Sequence, residues 1–160
     1  TWLPAMLNTL GKKPVLIGSF FMMATMFVIV MFYVNPLIDG GDGSGVLKLQ
    51  LSFEKNTGIE IINSWDKSGV VHFRTWIFTD YIYAFSYSLF FASLVAFLNE
   101  KNFKRASSLS LFFVYLSFAS GVLDSLENTM ALLSIKYQYG FSASLSFLHS
   151  VVALLTWTLV

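Results

Sequence analysis

Two acids and an amide inside an apolar stretch form the part of the sequence best suited to chemistry. They are Asp124, Glu127 and Asn128, within residues 117–135. At about 100° per residue in a helix, Glu127 and Asn128 lie on either side of the direction of Asp124. Gly121 lies one turn back on the same face. Ionisable side chains at membrane depth are costly, and by default they mark a functional site inside a helix bundle.

The polar stripe could also arise without a functional site, in either of two ways. The bilayer could end near Leu126, so that the stripe faces lipid headgroups. Residues 130–135 turn apolar again, however, which favours a helix that continues in a nonpolar setting. A polar network that satisfies its own hydrogen bonds and only fixes helix packing would show the same sequence pattern.

A further acid lies in a second apolar run, residues 73–98, and two tyrosines follow it. Tyr83 and Tyr87 stand three and seven residues after Asp80, on one helical face. Their phenol groups can hydrogen-bond a buried carboxylate. The alternative is an aromatic belt at the membrane interface, which explains Tyr87 poorly because that residue should lie near mid-membrane.

The helical rise places these polar residues at one level. Counted at about 1.5 Å per residue from the outer end of each helix, Asp80 lies about 9 Å deep and His149 about 12 Å. Asp124 and Glu127 lie about 12 to 16 Å deep on the same scale. Carboxylates, an imidazole, an amide and phenols would therefore meet in the outer half of the bundle. The predicted ligand-binding residues are Asp80, Tyr83, Tyr87, Asp124, Glu127, Asn128 and His149.

The composition is that of a membrane protein. Hydrophobic residues make up 56% of the chain and charged residues only 12%, and the mean hydropathy is +0.67. Soluble domains carry about 25% charged residues. The net charge of +1, without a basic run interleaved with aromatics, excludes nucleic acid as a partner. Because the chain has no cysteine, disulfides, thiolate nucleophiles, zinc–thiolate sites and iron–sulfur sites are excluded too.

Four apolar runs predict an all-α membrane protein, a four-transmembrane-helix bundle in a single domain. About 20 apolar residues in a helix cross a hydrocarbon core of about 30 Å. The predicted segments are an interfacial segment at 1–13, transmembrane helices at 14–34, 73–98, 106–135 and 141–160, and a loop at 35–72.

The long loop is expected to form a small folded extracytoplasmic cap. Apolar and polar residues alternate strictly from Val46 to Phe53, which predicts a half-buried strand. A single strand needs a partner, either another loop segment or a neighbouring protein chain. Thr57 and Glu60 have the spacing of a capping box, which predicts the start of a short amphipathic helix.

The distribution of basic residues predicts the orientation in the membrane. Positive residues accumulate on the cytoplasmic side of membrane proteins. Five of them flank the same predicted side, so both termini are expected to be cytoplasmic. They are Lys12, Lys13, Lys101, Lys104 and Arg105.

Several of these residues together carry a family resemblance. Trp65, Asp80 with Tyr87, and Gly121-x-x-Asp124-x-x-Glu127-Asn128 resemble a family of small bacterial integral membrane proteins with four helices. The resemblance spans roughly residues 49–133. It implies the four-helix architecture and a bacterial inner membrane, but no activity.

In layout the chain is also similar to the sterol isomerase and sigma-2 receptor group. Bundles of four or five helices in that group bury acids around an amphipathic ligand. Their His-x-x-x-Glu pattern has no counterpart here, so the similarity is topological and does not imply isomerase activity.

Three functional hypotheses follow from these patterns. In the first, the polar site binds a small amphipathic or lipid-like ligand or a cation, because acids accept a cationic or hydroxyl-bearing headgroup while aromatic walls hold an apolar tail. In the second, the chain is an accessory or assembly subunit, which is supported by the unpaired strand 46–53, the folded outer cap and the lack of a complete catalytic set. In the third, it is a membrane enzyme that uses the carboxylates and His149 as acid and base or as ligands of a divalent metal. The sequence names no cofactor.

Overall fold

The computed structural model describes residues 2–38, 44–102, 108–136 and 142–159, without the side chains of residues 2–4 and 102. Over these residues the protein is all-helical and contains no strand. The helices are α1 (Trp2–Leu10), α2 (Lys13–Val28), α3 (Ser44–Gln50), α4 (Lys55–Ser64), α5 (Lys67–Asn102), α6 (Ser108–Lys136) and α7 (Ala143–Leu159). A π-helical turn, Ile29–Val34, and a 3-10 turn, Asn35–Leu37, extend α2.

Three helical segments are long and apolar enough to cross a membrane. They are Lys13–Leu37, which we call the first span, Lys67–Lys101 and Ser108–Lys136. Helix α7 is apolar but shorter, with 17 residues, which is the lower end of the length range of roughly 17–25 residues for a transmembrane helix. Large apolar side chains project outward from these helices, including Phe32 at 69% exposure and Phe78 at 62%. The protein is therefore a membrane protein.

Among the described helices, α5 differs most from its predicted boundaries. The second predicted helix starts at Lys67 rather than at residue 73, so the loop 35–72 is shorter than expected. The interfacial segment 1–13 contains α1, and Leu7 of α1 is buried against Ala96 near the end of α5. Residues 106, 107, 141 and 160, at the predicted ends of the last two helices, lie outside the described residues.

The four long helices pack in sequence around α5 and α6. Helix α5 packs against the first span on one side and against α6 on the other, and α7 packs on the far side of α6. Among the described residues, the first span and α7 make no extensive contact with each other. These two helices therefore form the two edges of an open row.

Small residues allow α5 and α6 to approach closely. A Cβ atom added at Gly121 of α6 would collide with the side-chain oxygen of Ser88 and would lie 3.1 Å from the backbone oxygen of Ala84. Small residues at such crossings let transmembrane helices gain packing contacts that larger residues would prevent. Gly121 thus sets the spacing of the two helices that carry the acids.

We expect Gly121→Ala to lower the free energy of unfolding by about 1–3 kcal/mol, because the added methyl group overpacks this interface. Gly18→Ala is the matched control, because no atom lies within 4 Å of the added Cβ there. It should be neutral or stabilise by up to about 1 kcal/mol through helix propensity. Thermal unfolding of both variants in detergent measures the difference. Equal melting temperatures would show that α5 and α6 are not in close contact at Gly121.

The predicted strand from Val46 to Phe53 is wrong. Residues 44–50 form helix α3, which buries Val46, Leu49 and Gln50 at helical spacing and leaves Leu47 exposed. The physical reason is that an isolated strand would leave its backbone groups unpaired, whereas a helix satisfies them within the segment. The prediction that a protein partner pairs with this strand therefore loses its structural basis.

The second helix of the cap exists, but its start differs from the prediction. We call α3 and α4, with the connection between them, the cap. Helix α4 begins at Lys55, and its N-cap residue is Glu54, so Thr57 does not cap it. Ile62 of α4 is buried, and the ring of Trp65 packs on Phe73 of α5 at a centroid distance of 4.9 Å.

The side chain of Asp66 is the N-capping group of helix α5. The carboxylate of Asp66 accepts the backbone N–H of Gly69 at 2.6 Å and the hydroxyl of Ser68 at 3.0 Å. These hydrogen bonds, that from Gly69 first, lower the pKa of the Asp66 carboxyl below its ordinary value. An N-capping side chain of this kind satisfies amide groups that the first turn of a helix leaves unpaired. It defines the start of α5 and so the position of Asp80.

Candidate functional site

A cavity of about 150 Å³ lies between the long helices, beneath the cap. Every long helix and the cap contribute to its wall. The lining residues are Phe27, Val30 and Met31 of the first span, Gln50 of α3, Trp76, Asp80, Tyr83 and Tyr87 of α5, Asp124 and Glu127 of α6, and Thr156 and Trp157 of α7. Val30 and Met31 belong to the π-helical turn, a feature often found at functional sites.

Two aspartates meet in this cavity across the contact of α5 and α6. The amide nitrogen of Asn128 donates to Asp80 at 2.9 Å, and the hydroxyl of Tyr87 donates to Asp124 at 3.0 Å. The carboxyl groups of Asp80 and Asp124 are neighbours across the contact of the two helices. The structure thus brings together an acid from each helix, as the sequence predicted, with Asn128 behind Asp80 rather than in the cavity wall.

The third acid is held by the cap. The side-chain amide of Gln50 donates to Glu127 at 2.5 Å. Gln50 is buried, as is Glu127. Sequence reasoning missed Gln50, because it was assigned to the polar side of the strand. The available signal was the helical spacing of Val46, Leu49 and Gln50, which places the amide on the same face as two buried apolar residues.

The cap is attached to α7 next to this point. The backbone N–H of Phe53 donates to the hydroxyl of Ser150 at 2.9 Å, and its ring packs on Phe147 with 6.1 Å between centroids. Phe53 has a positive φ of 52°, which is uncommon for a residue other than glycine. The two contacts to α7 hold this turn, and the turn directly follows the helix that carries Gln50.

The cavity wall holds three acidic side chains and, among the described residues, no basic one. Asp80, Asp124 and Glu127 are 6%, 8% and 2% exposed. Lysine, arginine and histidine are absent from the described residues that line the cavity. Repulsion between unit charges a few ångströms apart is much stronger in protein than in water, because the surrounding dielectric constant is lower. A bound cation or a shared proton would relieve this repulsion.

The remaining wall is aromatic and apolar. Tyr83 lines the cavity and packs edge-on against Tyr87, with 5.4 Å between ring centroids. Its other neighbour is Phe27 of the first span, with 6.2 Å between centroids. Trp76 closes another part of the wall. Aromatic faces attract cations, so this wall is compatible with the acids opposite it.

His149 does not join the acids. It lines a separate cavity of about 20 Å³ between the cap and the ends of α6 and α7, together with Ser134 and Ser146. Ser134 lies seven residues beyond Glu127 on α6, which is about 10 Å further along that helix. The imidazole is 5% exposed, and its Nε2 atom has no hydrogen-bond partner among the described residues. The depth of each residue along its helix predicted that His149 would meet the acids, but the packing of the helices places it in a different cavity.

The acids do not form a metal cluster. Among the described residues, no group of three or more His, Cys, Asp or Glu side chains lies close enough together to hold a metal ion. A ligand that reaches all three acids must therefore have several donors or some length of its own.

No protein-family model, curated protein or solved structure matches the chain.

Proposed function

We propose that the protein binds a small amphipathic organic cation, with the charged group in the acid-lined cavity. One observation supports this proposal above the others. Three buried carboxyl groups face a cavity whose described lining contains no basic side chain. Buried acids are normally paired with a cation, whereas these three accept hydrogen bonds from the neutral side chains of Asn128, Tyr87 and Gln50, so they suit a cationic ligand.

A primary ammonium group fits this arrangement better than a metal ion. An ammonium carries three N–H donors, which can hydrogen-bond the neighbouring carboxyl groups of Asp80 and Asp124, while its charge attracts Glu127 across the cavity. A cavity of about 150 Å³ is large enough for a molecule the size of benzene. The aromatic rings of Tyr83 and Trp76 add a surface that attracts the cation.

The enzyme hypothesis receives less support. It required His149 to act with the carboxylates as acid and base, and direct proton transfer needs groups within hydrogen-bond reach. His149 lines a different cavity from Asp80, Asp124 and Glu127. One of the three observations behind the accessory-subunit hypothesis was an unpaired strand, and residues 44–50 of that segment form helix α3.

The orientation of the bundle is part of the same proposal. We infer that α7 is a fourth transmembrane helix, that both termini are cytoplasmic, and that the cap lies outside a bacterial inner membrane. Supporting this, Lys12, Lys13 and Lys101 lie at the end of the bundle opposite the cap.

Single cysteines test this orientation, because the native chain has none. Glu60→Cys in the cap and Lys101→Cys near the end of α5 both alter exposed positions. In intact cells an impermeant maleimide should label the first and not the second. Labelling of both variants without permeabilisation, or of the second alone, would reject the orientation.

The binding proposal is tested with decylammonium, whose amine is charged at neutral pH as that of lysine is. Decanol has the same chain length without the charge. With the protein in lipid nanodiscs, decylammonium should raise the melting temperature because it binds the folded state. Its dissociation constant should be at least about tenfold below that of decanol, as expected for one charge-assisted hydrogen bond. Equal affinities would contradict the proposal.

A further inference from the structure

The acid-lined cavity has an opening at the edge of the bundle. Its wall includes Phe27 and Met31 of the first span and Trp157 of α7. Among the described residues, these two helices make no extensive contact. The gap between them, which we call the lateral gap, is therefore not closed by helix packing.

The lateral gap is apolar and faces outward. Phe27 is 42% exposed and Trp157 is 55% exposed, although both also line the cavity. Phe27 lies in the middle of the first span, ten residues before its end at Leu37. A point about 15 Å from the end of a span lies at the depth of the hydrocarbon chains rather than the headgroups. An opening at this depth leads into lipid, not into water.

The other route into the cavity is covered. Gln50 of the cap donates to Glu127 and lines the cavity from the side of α3. The turn after α3 is fixed to α7 by the hydrogen bond from Phe53 to Ser150. A ligand that arrives from the water side would have to displace these contacts, whereas one in the bilayer need not.

We propose that the ligand enters sideways from the bilayer through the lateral gap, and that it is a single-chain amine. The inference rests on the proposed function, because it assumes that a cation binds at the acids. The ammonium group lies in the cavity lined by Asp80, Asp124 and Glu127, and the apolar chain passes between Phe27 and Trp157 into lipid. One chain is specified because a cavity of about 150 Å³ holds a headgroup and the start of one chain.

Blocking the lateral gap distinguishes this path from others. Met31→Cys introduces the only cysteine of the chain in the cavity wall, where benzyl methanethiosulfonate adds a bulky ring. Phe32→Cys is the matched control, because its side chain is 69% exposed and does not line the cavity. Trp157→Cys repeats the test from α7, with the exposed Leu155→Cys as its control. The two probes share an ammonium group and differ in their alkyl chain, which is long in decylammonium and short in ethylammonium.

Labelling at Met31→Cys should weaken decylammonium binding at least about tenfold, the loss expected when two or more methylene groups leave an apolar site. Ethylammonium binding should be weakened less than decylammonium binding, because ethylammonium has no long tail to lie in the gap, and labelled Phe32→Cys should bind both amines as the unlabelled protein does. If decylammonium binds the labelled protein normally, or if both amines are lost equally, the tail does not lie in the gap and the inference is wrong. If neither amine binds the unlabelled protein, the proposed function itself fails.

Discussion

Asp124→Asn should weaken decylammonium binding by about 10- to 100-fold, the range expected when a charge-assisted hydrogen bond of about 1.5–3 kcal/mol is lost. Asp124 lies beside Asp80, and both line the cavity with Glu127. The substitution removes a negative charge and changes the shape of the side chain little. The amide oxygen of asparagine can still accept the hydroxyl of Tyr87, so the fold should persist.

The same reasoning applies to the other two acids. In Asp80→Asn the amide oxygen can accept from Asn128, and in Glu127→Gln it can accept from Gln50. Each variant should bind decylammonium more weakly than the wild type and decanol about equally well. Glu60→Gln is the matched control, because it removes one carboxylate from an exposed position of the cap.

The melting temperatures of these three variants distinguish a binding site from a polar network that only supports packing. Removing one of three neighbouring carboxylates relieves repulsion, so the melting temperature without ligand should stay the same or rise. If it rises while decylammonium affinity is unchanged in all three variants, the acids serve packing only. If neither quantity changes in any variant, the acids face lipid headgroups and the site does not exist.

The acidic site could be predicted from the sequence because charged residues are conspicuous in apolar helices. Asp80 and Asp124 are rare residue types in their surroundings, and ionisable side chains at such positions face the bundle interior. The helical period then placed Tyr87 and Asn128 near them. In the structure these two residues hydrogen-bond the aspartates, although Tyr87 pairs with Asp124 rather than with Asp80.

Sequence patterns were least informative in the cap. The alternation from 46 to 53 is also compatible with a short helix, because Val46, Leu49 and Gln50 recur at helical spacing. A glutamine in a polar loop carries no signal of burial, since polar residues are expected there. Its role depends on the contact with Glu127, which lies 77 residues away in the chain.

The position of His149 shows what a one-dimensional depth argument omits. Counting residues from the end of each helix gives a level but neither the facing direction nor the offset between neighbouring helices. Helix α7 packs on α6, and His149 faces the smaller cavity with Ser134 and Ser146. Only tertiary packing decides which cavity a residue at a given level lines.

The second large effect is expected at the contact of Gln50 with Glu127, where the cap meets the cavity. Gln50→Glu replaces the donor to Glu127 by a second carboxylate, so both repulsion and an unpaired buried group destabilise the protein. The loss should be about 1–3 kcal/mol, the usual cost of leaving a buried polar group unsatisfied. Asn56→Asp is the matched control, because it makes the same amide-to-acid change at an exposed position of α4.

Combining Gln50→Glu with Glu127→Gln should restore stability, because the hydrogen bond can then form with donor and acceptor exchanged. Residues in contact show coupling energies of about 0.5–3 kcal/mol in such double-mutant cycles. The exchange also keeps three carboxyl groups in the cavity wall, since Gln50 and Glu127 both line it. Decylammonium should therefore bind the double variant within a few-fold of the wild type, unlike Glu127→Gln alone. Additive losses of stability would show that Gln50 and Glu127 are not in contact. If stability is restored but binding is not, the ligand requires a carboxylate at position 127 of α6, and a carboxylate at position 50 of α3 does not replace it.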